Sequence, residues 1–121
     1  MTEANVILHI ALPDHWAAAR RSGEYRMSTR DRTVADEGFV HCSYPNQVVG
    51  IANRFYRDVI ALVILHIEHE LVHAAMKLEP AFDRSGELFP HLYGPLPTDA
   101  VIATTWWRRG DDGRWHRPPT I

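Results

Sequence analysis

Histidine supplies most of the reactive potential in this sequence, eight of them standing among 121 residues. The segment HELVH, His69 to His73, fits the pattern H-E-x-x-H. On a helix that spacing sets two histidines one turn apart beside a carboxylate, the arrangement by which zinc hydrolases hold a metal and a base. Only a short helix fits between Ile67 and Pro80, and Glu79 is the nearest third ligand. A polar surface helix accounts for the same residues, and no metal is expected. The segment GFVHCSYPNQ, Gly38 to Gln47, reads as a strand running into a helix. Alternation along the strand puts His41 and Ser43 on one side and Cys42 on the other, toward the core. Free backbone N–H groups at the helix start would favour an anion or a phosphate there. Cys42 lacks a charged activator and is not expected to act as a nucleophile. In LFPHLYGPLP, Leu88 to Pro97, His91 and Tyr93 share one face of an extended segment bracketed by Pro90 and Pro95. Prolines confine such a segment to an edge or a bulge, which suits a rim or a pocket wall. His9 lies inside an apolar strand, where a histidine is either a hydrogen-bonded core residue or part of a cleft. Glu79 is a carboxylate in apolar company.

These residues must be positioned by a mixture of strands and short helices. Residues 5–11 (NVILHIA) and 61–67 (ALVILHI) are the clearest strands, being β-branched and leucine-rich. Residues 38–42, 89–93 and 101–108 are also expected to be extended, with a strand stub at 77–79 stopped by Pro80. Helices are expected at 15–21, opened by Pro13 and closed by Gly23, and at 45–56 with Ser43 as N-cap. A further short helix or helical turn is expected at 68–76. Residues 23–36 read as an extended connection, 82–87 as a loop turning at Ser85-Gly86, and 110–121 as a loose polar tail after a single domain of residues 1–109. Irregular connections argue for an α+β domain over repeated βαβ units.

Composition narrows the function classes. A chain of this length buries about two thirds of its unfolded surface and needs no staple. Hydrophobic residues make up 45% and charged residues 23%, which is ordinary for a globular protein. The net charge of −2 lacks the basic excess of a general nucleic-acid binder. A single cysteine excludes an internal disulfide and a Cys₄ zinc site. The longest apolar run, Ile60 to Leu65, is too short for a membrane span, and no secretory pattern opens the sequence. A cytoplasmic setting without membrane contact is expected.

Taken in order, LHIA (8–11), Trp16, Gly23-x-Tyr25, GFVHCS (38–43) with Gln47, Leu78-Glu79-Pro80 and FPHLYGPL (89–96) resemble the bacterial family called domain of unknown function 952. The resemblance spans Val6 to about Val101. It implies a compact relative of the ADP-ribosyltransferase superfamily, with a split antiparallel sheet, short helices and NAD in the cleft. The first signature strand then corresponds to Leu8-His9-Ile10 and the second to Gly38–Ser43. His91 stands where the third strand would supply a glutamate, and Glu79 replaces it only if the cleft brings it back. The ligand implied is NAD or an ADP-ribose-type nucleotide. His9, His41 and Ser43 would hold ribose or phosphate, Tyr25 or Tyr93 would stack on a base, and His41, His91 and Glu79 would be the catalytic candidates. The reaction implied is transfer or hydrolysis at the ribose. A non-catalytic ligand-binding module and a zinc hydrolase built on HELVH are the alternatives.

Overall fold

The computed structural model describes residues 6–80, 85–119 and 121, so most of the loop expected at 82–87 lies outside the described residues. Strand β1 (Val6–Ala11) pairs antiparallel along its whole length with β4 (Ala61–Glu68), which pairs on its other edge with β8 (Val101–Arg108). Both faces of β1 and β4 are covered, while most of β8 is exposed. Ile7, Ala11, Val63, Leu65 and Ile67 enter one core cluster. Leu8, Ile10, Leu62 and Ile64 enter another, against helix α3 (Val48–Phe55), Trp107 and Trp115. Burial on both faces is why these strands read as unbroken apolar runs rather than alternating ones.

Helix α1 (Pro13–Ser22) opens with Pro13 in its first turn and ends at Gly23, whose left-handed backbone (φ 88°) lets its N–H donate to the Ala19 carbonyl. Residues 23–36 are more structured than expected. Strand β2 (Glu24–Tyr25) pairs with β7 (Leu96–Pro97). One helical turn, α2 (Val34–Glu37), is nucleated by a reciprocal cap. The Thr33 hydroxyl accepts from the Asp36 N–H at 3.1 Å, and the Asp36 carboxylate accepts from the Thr33 N–H at 3.0 Å. Gly38, at φ 91°, ends that turn and redirects the chain into β3 (Val40–His41).

A second sheet runs in the order β3, β6 (Leu88–Tyr93), β5 (Ala75–Pro80). Pro90 therefore sits in a central strand, not the expected edge. Its carbonyl accepts from the Cys42 N–H at 2.9 Å, one residue past the end of β3. A strand residue's N–H and C=O point the same way, so the donor Pro90 lacks would also fall beyond β3. The two sheets touch at one backbone bridge, Leu8 to Ser43, with N–H···O distances of 2.8 and 2.7 Å. Ser43 is thus a sheet residue and not an N-cap. Helix α3 starts later than expected, with Gln47 at its cap position and no side-chain cap bond. Of the short helix or helical turn expected at 68–76, only a turn forms. The chain stays in β4 to Glu68, makes one 3₁₀ turn (His69–Leu71) and is extended again by Val72.

The segment after Arg108 has no regular element, but it is not loose. Trp115 is 1% exposed. Its indole N–H donates to the Tyr56 carbonyl at 3.0 Å, and its backbone N–H donates to Asn53 Oδ1 at 2.7 Å. The Trp107 indole reaches the His116 carbonyl. One buried tryptophan within a polar sequence straps this segment to α3. The whole is an α+β protein with antiparallel sheets and few helices, and none of its described helices is long and apolar enough to cross a membrane. Trp115→Ala should cost about 3–5 kcal/mol, seen in urea unfolding as a lower midpoint with an unchanged slope. A loss under 1 kcal/mol would show that the strap adds nothing.

Candidate functional site

The sheets diverge beyond their single bridge, and the gap is a cavity of about 590 Å³. His9 of β1, His41 of β3 and His91 of β6 all line it, so three distant segments converge there. The floor is the second sheet, where alternation separates two faces. Val40 and Leu92 point into the core. His41, His91 and Phe89 line the cavity, and the Phe39 ring packs on the same side. His41 and His91 are direct cross-strand partners with ring centroids 4.7 Å apart. Phe39 stacks on His91 at 4.2 Å.

Glu79 is brought back to this face. It pairs with Phe89 in the β5–β6 register, so its side chain reaches diagonally to His91 and Tyr93. Glu79 Oε1 accepts from His91 Nδ1 at 2.9 Å and from the Tyr93 hydroxyl at 2.5 Å. The bonds from Tyr93 and His91 hold the Glu79 carboxyl below its ordinary range. The carboxylate fixes the proton on His91 Nδ1, which leaves Nε2 as the free acceptor of a residue that lines the cavity. That nitrogen is buried and has no hydrogen-bond partner among the described residues. Tyr93 is engaged by Glu79, and its ring is flanked by Phe39 and by the Lys77 ammonium at 4.8 Å. It does not line the cavity, so the expected base-stacking role does not fit it.

His9 is fully committed inside the protein. Its Nδ1 lies 2.5 Å from the His41 carbonyl, which can only accept, so Nδ1 carries the proton. Nε2 then accepts from the Tyr25 hydroxyl at 2.7 Å. Burial pushes the His9 pKa down to about 4, so the ring is neutral at pH 7. Both nitrogens are taken, so the expected ligand-holding role passes from His9 to its neighbours. Tyr25 is 1% exposed and cannot stack on a ligand; it holds His9. Its signal in the sequence, Gly23-x-Tyr25, marks a structural partner of the site.

His41 remains available. Burial, with a smaller contribution from His91, lowers its pKa to about 4, and its Nε2 is buried without a partner. Ser28 Oγ is a further buried, unpartnered atom of a cavity-lining residue, at 0% residue exposure. Sequence reading missed Ser28, which lies in the polar stretch after β2. It also missed Arg30, whose guanidinium clasps Asp58 at 2.7 and 3.0 Å and caps the Phe55 carbonyl at 2.8 Å. Ser43 lines the cavity beside the bridge. Helix α3 presents Ile51 and Phe55 to the cavity, followed by Tyr56, and none of its first-turn residues. The expected anion site at a helix start is therefore not part of the cleft. Cys42 faces the core, and burial pushes its thiol pKa up, which suits an inert residue. The zinc arrangement is not formed. His69 lies in a 3₁₀ turn of three residues that ends before His73, so the pair shares no helix face. No cluster of metal-ligating side chains occurs among the described residues.

Fold and site together define a small α+β protein with antiparallel sheets and a histidine-lined cleft. The chain belongs to the family described as protein of unknown function DUF952, whose match spans residues 10–104. It is similar to the crystal structure of protein CC0527 from Caulobacter crescentus, at 28% identity over 92% of this chain and 93% of that one, with a TM-score of 0.76. The solution structure of CC0527 is similar at 28% identity over 97% of each chain, with a TM-score of 0.77. No curated protein matches this chain.

A histidine buried neutral makes the folded state bind fewer protons than the unfolded one. Its stabilisation is complete above pH 6.5 and is lost as pH falls toward about 4. His9 and His41 should each steepen this loss, by up to about 1.4 kcal/mol per pH unit. Denaturant melts at several pH values should show stability rising between pH 4 and 6.5, with a shallower rise in His9→Gln. An unchanged slope in that variant would contradict a neutral, buried His9.

Proposed function

We propose that this protein is an acid–base enzyme acting on the ribosyl group of an NAD- or ADP-ribose-type nucleotide, within an ADP-ribosyltransferase-like fold. The observation carrying this reading is His91, a cavity-lining residue with Nδ1 on the Glu79 carboxylate and a buried Nε2 that has no partner among the described residues. A carboxylate-oriented imidazole is a general base pointed at whatever hydroxyl enters the cavity. His41 Nε2 and Ser28 Oγ would bind neighbouring hydroxyls of the sugar. The cavity volume lies in the range usual for small-molecule sites.

His91 Nε2 takes the proton of the attacking hydroxyl or water as its oxygen bonds to the ribose C1 carbon. The bond from C1 to the base breaks, and its electron pair leaves on the base nitrogen. Glu79, through Nδ1, balances the positive charge that His91 gains. It also favours the oxocarbenium character that develops at C1. Glu79 thus serves by positioning and charge, and His91 is the group in reach of the reacting atoms. Arg30 is spent on Asp58 and Phe55, which disfavours a phosphate-handling mechanism based on that residue.

Calorimetric titration with nicotinamide riboside, NAD and ADP-ribose should give saturable binding by at least one of them, lost in His41→Ala without loss of the fold. Release of free base should fall about 10²–10⁴-fold in His91→Ala. Binding without any release would select the non-catalytic module. No binding by any of the three would overturn the ribosyl reading.

A further inference from the structure

Whether the cleft can hold a phosphate is decided by its charges. Arg30 is the one lysine or arginine that lines it among the described residues, and a bidentate carboxylate together with a helix-terminal carbonyl already occupies its guanidinium. Asp31 and Asp58 also line the cavity, and Glu79 stands directly behind His91. His9 and His41 are neutral. Among the lining residues two carboxylates, Asp31 and Asp58, stand against the one engaged guanidinium, while behind the cavity Glu79 is offset by the nearby Lys77 ammonium. The backbone adds to the same sign. The helix end that meets the cavity is the C-terminal end of α3, the negative pole of its dipole, although Arg30 caps the Phe55 carbonyl there.

The polar atoms left unsatisfied are of a different kind. Ser28 Oγ, His41 Nε2 and His91 Nε2 are hydroxyl and imidazole groups of uncharged hydrogen-bonding character, and Ser28 and His91 are 0% and 3% exposed. Leaving such atoms unpaired is costly, and a ligand hydroxyl that reached them would recover that cost. Two other buried atoms without partners, His15 Nδ1 and Arg109 Nε, belong to residues outside the cavity.

We infer that the cleft selects a phosphate-free N-ribosyl compound, a neutral or cationic nucleoside, and disfavours the same compound bearing a 5′-phosphate. This rests on the ribosyl reading above and narrows it: the N-ribosyl part of the nucleotide proposed there is what the cleft takes, without the phosphates that NAD and ADP-ribose carry. Neutral hydrogen-bonding groups meet the sugar hydroxyls, and the surrounding carboxylates attract a cationic base while repelling phosphate.

The test compares nicotinamide riboside with its 5′-monophosphate by calorimetry on the full chain at low and at physiological salt. The riboside should bind at least tenfold more tightly, and salt should narrow the gap, since screening weakens the repulsion. Asp58→Asn, which releases Arg30, should improve binding of the monophosphate relative to the riboside. Equal or tighter binding of the monophosphate by the unaltered chain would overturn the inference while leaving the ribosyl reading in place. Failure of both compounds, together with NAD and ADP-ribose, would remove the ribosyl reading and this inference with it.

Discussion

The bond from His9 Nδ1 to the His41 carbonyl, beside the Leu8–Ser43 bridge, holds the two sheets edge to edge. Strand β3 has only two residues in register with β6, so its position depends on these contacts with β1. The cleft exists because pairing stops there. Full pairing of β1 with β3 would close the gap, and no pairing would leave His41 without a fixed place. Burying an imidazole for this purpose carries a desolvation cost, which two hydrogen bonds offset. Tyr25 completes the arrangement by donating to Nε2, which leaves His9 no way to turn. His9 therefore shapes the site as a fastening within it.

The second sheet divides labour between its faces. Val40 and Leu92 belong to the core and set the sheet's place. On the opposite face, Phe39, His41, His91 and Tyr93 pack ring against ring, with Glu79 tying the last two together. Aromatic packing keeps the imidazoles from swinging, and the carboxylate sets which nitrogen of His91 is left as the free acceptor. A rigid surround lets a buried nitrogen stay unpaired, because no nearby group can move to satisfy it.

Part of this face was legible from the sequence, because period-two alternation sends Cys42 away from His41 in GFVHCS and sets His91 with Tyr93 in FPHLY, but that the two segments pair is a long-range fact of the β3–β6 register. Glu79 was legible as an oddity, a carboxylate among apolar residues, but its partner depended on the β5–β6 register, which is a long-range fact. His9 was correctly placed in its strand, yet a sequence does not tell which nitrogens of a buried histidine are occupied. HELVH misled because its helical spacing carries meaning only on a helix, and β4 continues to Glu68 before a 3₁₀ turn. The helix expected at 45–56 lost its first turn because the Ser43 backbone was drawn into the bridge to Leu8. Trp115 was hidden by its polar neighbours, since the contact that buries it comes from Asn53 and Tyr56.

Electrostatics around the cleft runs against simple proximity. Glu79 by itself would raise the pKa of His41, yet burial and the adjacent His91 outweigh it, and His41 stays neutral. Desolvation is the larger effect because the aromatic rings and the end of α3 exclude water from the imidazole. The site therefore combines neutral hydrogen-bonding groups in contact with the cavity and fixed negative charge behind them. Arg30 does not reverse that sign, because its geometry is set by the fold. By bonding Asp58 and the Phe55 carbonyl, it fastens the 28–32 turn, which carries Ser28, to the end of α3. Its charge closes the cleft wall, and a guanidinium so engaged has little left for a ligand.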